Sequence, residues 1–100
     1  MIRVLVLYPR TEGKKFDEEY YKNHHMPLVK EKLNPLKTEI DFGIPSRGQP
    51  SPYFAVSHLI FNSMEELATK YSAANEELNT DKLRFTDIDI ITQISKVAEL

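Results

Sequence analysis

The sequence predicts an α+β fold, a single antiparallel sheet of four strands with two helices packed on one face. Three observations predict it: four runs with strand character, two segments with helical apolar spacing, and their order along the chain, β-α-β-β-α-β. A chain of 100 residues, 41% hydrophobic and 28% charged, holds one such domain, residues 1–100, and no second. Its mass of 11.6 kDa corresponds to about 5,800 Å² of exposed surface when folded, against roughly 16,800 Å² when extended.

The first run, Ile2-Arg3-Val4-Leu5-Val6-Leu7-Tyr8, is rich in β-branched residues and stops at the Pro-Arg-Thr-Glu-Gly turn. Apart from Arg3 it is apolar on both faces. Asp17 caps the first helix, with Phe16 and Tyr21 spaced as a hydrophobic staple and Glu18 and Glu19 in its first turn. That helix reaches about Leu33, and Pro27 within it removes a donor and crowds the carbonyl of Asn23, so a kink is expected near His25. From Leu36 to Ile44, apolar Leu36, Ile40, Phe42 and Ile44 alternate with Lys37, Glu39 and Asp41, the pattern of a half-exposed edge strand. A proline-rich loop over residues 45–52 leads into a third strand, Tyr53 to Phe61, again apolar on both faces and interrupted by Ser57 and His58. Ser63 and Glu66 form a capping box for the second helix, expected to end at Asn79 and to be followed by a short helical turn around Asp81 to Arg84. The last strand spans Ile88 to about Ser95, with Ile88, Ile90, Thr92 and Ile94 on one side.

This order is the ferredoxin-like βαββαβ plan, in which the first and third strands are central and the spatial order is 4-1-3-2. Those are the two runs that are apolar on both sides. The helices cover one face of the sheet, which leaves leucine, isoleucine and valine side chains on the other. A second copy of the chain, packed sheet against sheet about a two-fold axis, is the expected cover.

Composition excludes several function classes. Thirteen basic against fifteen acidic side chains, a net charge of −2, give no basic excess for a nucleic-acid backbone. With no cysteine, there is no disulfide, thiolate metal site or cysteine nucleophile. The apolar run from Ile2 to Tyr8 is too short for a membrane span and lacks a signal-peptide pattern, so a soluble cytoplasmic protein without membrane partners is expected. No Gly-rich phosphate loop or Ser-His-Asp signature is present, and adjacent His24 and His25 lack the i, i+4 spacing of a helical metal pair. No metal and no cofactor are expected.

The segment Val4-Leu5-Val6-Leu7-Tyr8-Pro9, followed by Phe16-Asp17-x-x-Tyr20-Tyr21-x-x-x-His25-Met26-Pro27-Leu28, resembles the opening of the ethyl tert-butyl ether degradation (EthD) family. Pro52-Tyr53-Phe54-Ala55-Val56, Leu59-x-Phe61-x-Ser63, Thr86-Asp87-Ile88 and Gln93-Ile94-Ser95 extend the likeness over nearly the whole chain. The resemblance implies a dimeric α/β barrel, in which two ferredoxin-like sheets pack together and each subunit holds a pocket between sheet and helices. That superfamily includes cofactor-independent monooxygenases, muconolactone isomerases, polyketide cyclases and haem-degrading enzymes. The last of these would use His25 or His58 as haem ligand.

Candidate site residues follow from chemistry. His25 shares a helix face with Tyr21 beside the Pro27 kink, so a neutral imidazole there would serve as general base and the phenol as donor to a developing oxyanion. The alternative is that His25 hydrogen-bonds a backbone group freed by Pro27. His24, about 100° around the helix, faces solvent. His58, mid-strand among aliphatic side chains, joins Arg3 and Gln93 on the flanking strands as a third catalytic or carbonyl-orienting group if its face looks into the pocket or the dimer interface; the alternative is a buried histidine satisfied by a hydrogen bond across the dimer. Tyr8 and Phe54 are candidates for binding a small hydrophobic molecule. Two functions stay open: a cofactor-independent oxygenase, isomerase or cyclase acting on a small hydrophobic or aromatic substrate, and a non-catalytic binding or accessory protein of a catabolic pathway.

Overall fold

The computed structural model describes residues 1–100. Strand β1 (Ile2–Pro9) leads into α1 (Glu18–Tyr20), a π-helical turn (Tyr21–His25) and α2 (Met26–Leu33). Then come β2 (Lys37–Phe42), β3 (Tyr53–Phe61), α3 (Met64–Lys82) and β4 (Ile91–Lys96). All pairings are antiparallel and the order across the sheet is β2-β3-β1-β4, the ferredoxin-like arrangement expected from the sequence.

The expected kink takes the form of the π turn. Pro27 has no N–H to offer and its ring crowds the preceding turn, and the chain answers by closing an i→i+5 bond from the Met26 N–H to the Tyr21 carbonyl. Upstream, the Asp17 carboxylate accepts from the Tyr20 N–H at 3.1 Å, and the Phe16 and Tyr21 rings lie 5.1 Å apart as the staple requires. Asn34 ends α2 in the left-handed region at φ 43°, a conformation asparagine tolerates better than most residues.

Helix α3 starts as expected, with Ser63 Oγ accepting from the Glu66 N–H at 3.2 Å, but Glu66 turns its carboxylate to Lys70 at 2.9 Å instead of back to the cap. It does not end at Asn79. It runs on to Lys82, because the hydrogen bonds made by Tyr20 and His25 to Asp81 hold its last turn in place. Strand β4 correspondingly begins at Ile91, three residues later than Ile88, which is instead fully buried beside Thr86.

The face of the sheet that meets the helices carries Val4 and Tyr8 from β1 and Ala55, Ser57, Leu59 and Phe61 from β3. The opposite face carries Arg3, Leu5 and Leu7, with Val56, His58 and Ile60 on one side in register and Ile91, Gln93 and Ser95 on the other. Ile91 there is 51% exposed. One residue breaks the alternation. Tyr8 pairs with Ala55 but Pro9 with Tyr53, so Phe54 is the extra residue of a β-bulge and stacks on Phe16 at 5.6 Å. Under one end of the helices, Phe85, with no exposed surface, packs between Tyr21 (5.2 Å), Phe16 (5.6 Å) and Tyr8 (5.8 Å).

Two substitutions test this account. Ser63→Ala should cost about 1 kcal/mol through the lost cap, and Phe85→Ala about 3–5 kcal/mol through the lost aromatic centre. Urea unfolding of the purified variants measures both, and equal midpoints for Phe85→Ala and the parent chain would show that the cluster does not hold the core.

Candidate functional site

Helix α3 packs along α2 but stands off the β1–β4 half of the sheet, and the gap is a cavity of about 360 Å³. Val4, Val6 and Tyr8 form its floor with Ser57 and Leu59, and Met26, Val29 and Leu33 close one wall. Leu67, Tyr71 and Leu78 of α3 form the other, and Ile90, Thr92 and Ile94 line the β4 side. Met64, Tyr71 and Ile94, each 45–50% exposed, mark an apolar mouth.

His25 sits in this wall, 6% exposed, held from behind. Its Nδ1 lies 2.9 Å from Oδ2 of Asp81, whose Oδ1 accepts a hydrogen bond from the Tyr20 hydroxyl at 2.7 Å. On a regular α-helix Tyr20 and His25, five residues apart, would point about 140° from each other. The π turn inserts one residue into that winding and so brings both to a single carboxylate. Burial holds the imidazole below its ordinary value of 6.5, and Asp81 offsets this only in part. Burial alone would raise the Asp81 carboxyl, but the hydrogen bonds from Tyr20 and His25 outweigh it and keep the group below the usual carboxylate range. The ring is therefore neutral near pH 7. With Nδ1–H given to Asp81, Nε2 keeps its lone pair and is the basic nitrogen.

Two hydroxyls stand on the cavity floor and a third lies behind them. Tyr8 and Ser57 line the cavity, while Tyr21 lies one layer behind the wall, its ring 5.2 Å from that of Tyr8. Burial pushes the Tyr21 phenol up to about 12 and raises Tyr8 further, so both remain proton donors. The Tyr21 hydroxyl is buried beside those of Tyr8 and Ser57 yet closes no hydrogen bond to either.

The structure thus brings together His25, Tyr8 and, behind them, Tyr21. It does not bring His58, Arg3 or Gln93 to them, which corrects the pocket placement: strand alternation puts all three together on the other face of the sheet. There His58 is satisfied within its own chain, with Nε2 2.7 Å from Oδ2 of Asp41. Phe54 is likewise absent from the cavity wall, because the bulge turns it to Phe16, where the Arg10 guanidinium caps its ring at 4.2 Å. Sequence marks Tyr20 only in the family spacing and Asn79 and Asp81 only around a helix end, and gives none of them, nor Lys82, a place in the site. Nothing local ties Asp81 to the histidine it orients, 56 residues away. No group of three or more His, Asp or Glu side chains gathers as a metal site.

A sequence profile of the EthD domain matches residues 11–89. This chain belongs to the EthD family. An EthD-like protein from Ralstonia eutropha is 33% identical and superposes with a TM-score of 0.91, over 98% of this chain and 92% of the other. An EthD-family protein from Bacillus halodurans superposes at 0.79 with 17% identity, covering 98% and 99%. An antibiotic biosynthesis monooxygenase, 11% identical, shares the fold at a TM-score of 0.53 over 99% and 100% of the two chains. No curated protein sequence matches this EthD chain.

The histidine sets a pH dependence. Its pKa is lower folded than unfolded, so the unfolded chain binds the extra proton, and the stability tied to neutral His25 is complete above 6.5 and declines as pH falls below it. The melting temperature of the parent chain should drop between pH 7 and pH 5 more than that of His25→Gln. Parallel curves over that window would show that His25 is not held neutral by burial.

Proposed function

We propose that this EthD protein binds a small hydrophobic or aromatic molecule in the cavity under α3 and acts on it without a cofactor, with His25 as general base. The observation that carries the reading is the His25–Asp81 pair in the wall of an otherwise largely apolar cavity. A buried, oriented and neutral imidazole suits removal of a proton from an acidic carbon or phenol. The charge that develops on the ligand's oxygen then meets hydroxyl donors, Tyr8 and Ser57, in a cavity lined mostly by apolar side chains. Tyr21, unpartnered behind them, is placed to donate to the Tyr8 or Ser57 oxygen as that charge grows. This assigns the base to His25 and the donors to the β1–β3 floor, and leaves His58 outside the chemistry.

5-Nitrobenzisoxazole tests the reading, since removal of its one acidic C–H proton breaks the N–O bond and releases a coloured phenolate. The protein should open it faster than equimolar imidazole. His25→Ala and His25→Gln should lose about a hundredfold or more of that rate, with Asp81→Asn losing less. Turnover that survives both histidine variants, or no acceleration by the parent chain, overturns the assignment.

The reading includes a homodimer formed through the outer sheet face, in the cytoplasm. Leu5, Leu7, Val56, Ile60 and Ile91 make that face apolar at its centre. The single chain exposes 6,855 Å², about 1,000 Å² above the value expected for its mass, close to the ~800 Å² each partner contributes to a standard interface. Its slab shape, 41 × 36 × 20 Å, gives that face a breadth suited to packing against a second copy. Light scattering at micromolar concentration should give twice 11.6 kDa, and Leu7→Glu should give the single chain. A persistent monomer of the parent protein refutes the dimer.

A further inference from the structure

The cavity has a charge pattern that narrows its ligand. No Asp or Glu side chain lines it, and with His25 neutral its one cation is Lys82, in the last turn of α3. Lys82 is half-buried, and its ammonium has no carboxylate within 4 Å, whereas Lys70 of the same helix is paired at 2.9 Å. Asn79, one turn earlier on the same side of the helix, also lines the cavity and makes no side-chain hydrogen bond. Lys82, half-buried, and Asn79, exposed beside it, therefore stand at the rim of a largely apolar cavity with no protein side chain paired to either.

We infer that the ligand is an organic acid: an apolar, aromatic or branched skeleton bearing a carboxylate that Lys82 and Asn79 hold at the end of α3. An ammonium at the rim of an apolar enclosure has few competing partners, and a charge-assisted hydrogen bond to a carboxylate is worth roughly twice a neutral one. The skeleton then lies toward Val4, Leu59 and Leu67, where only apolar side chains meet it. This inference rests on the cavity being a small-molecule site, but not on His25 acting as a base.

The test compares 2-naphthoate with 2-naphthamide, which differ in charge and hardly in shape, by calorimetry at pH 7.5. The parent protein should bind the acid at least about tenfold more tightly than the amide. Lys82→Met should erase that preference by bringing the affinity for the acid down to that for the amide, and Lys82→Arg should retain most of it. Equal binding of acid and amide by the parent chain, or a preference that persists in Lys82→Met, overturns the inference. If neither compound binds while 5-nitrobenzisoxazole is still opened through His25, the acid ligand falls and the base stands. If the charge preference depends on Lys82 but the histidine variants keep full turnover, the base falls and the acid ligand stands.

Discussion

One carboxylate ties the two helical layers of this protein together. Asp81, near the end of α3, accepts from Tyr20 and from His25, and those two residues bracket the π turn that leads into α2. Removing either partner would leave a poorly solvated oxygen without its donor, which costs more than the bond itself is worth. The same contact fixes three other features. It extends α3 one turn beyond Asn79, it sets the imidazole tautomer, and it places Lys82 at the cavity's end.

Behind that contact stands a local backbone constraint. Pro27 disfavours a regular helical turn before it, and the chain accommodates it with one extra residue in the winding. A regular helix would direct Tyr20 and His25 to different neighbours. Around them, Phe85, Phe16, Tyr8 and Tyr21 interlock edge to face, so the histidine is packed as well as hydrogen-bonded, its ring centre 4.6 Å from that of Phe85. The rigid aromatic end and the open end under α3 divide the labour: one holds the basic group, the other leaves room for a ligand.

Both faces of the sheet are occupied by chemistry of different kinds. Toward the helices lie the cavity, the hydroxyls and His25. On the far side lie an apolar strip and a histidine already satisfied by Asp41. Because neighbouring residues on a strand point in opposite directions, Ser57 and His58 belong to different surfaces although adjacent in the chain. That single alternation decides which polar groups a ligand under α3 meets.

Much of this was legible in the sequence. Strand and helix order, the Asp17 and Ser63 caps, the disturbance at Pro27 and the importance of His25 follow from short-range rules, since each depends on residues within a turn or two of one another. The likeness to the EthD family was legible too, in the Tyr20-Tyr21 and His25-Met26-Pro27 spacing. What tertiary structure alone decided is everything that joins distant segments. Which face of β3 meets the helices depends on pairing with β1 and on the bulge that turns Phe54, neither of which leaves a local trace. Asp81 as the partner of His25, and Lys82 at the cavity's end, arise only once the fold brings chain segments 56 residues apart into contact. Periodicity encodes which side chains share a face; it carries no information about which other segment that face will meet.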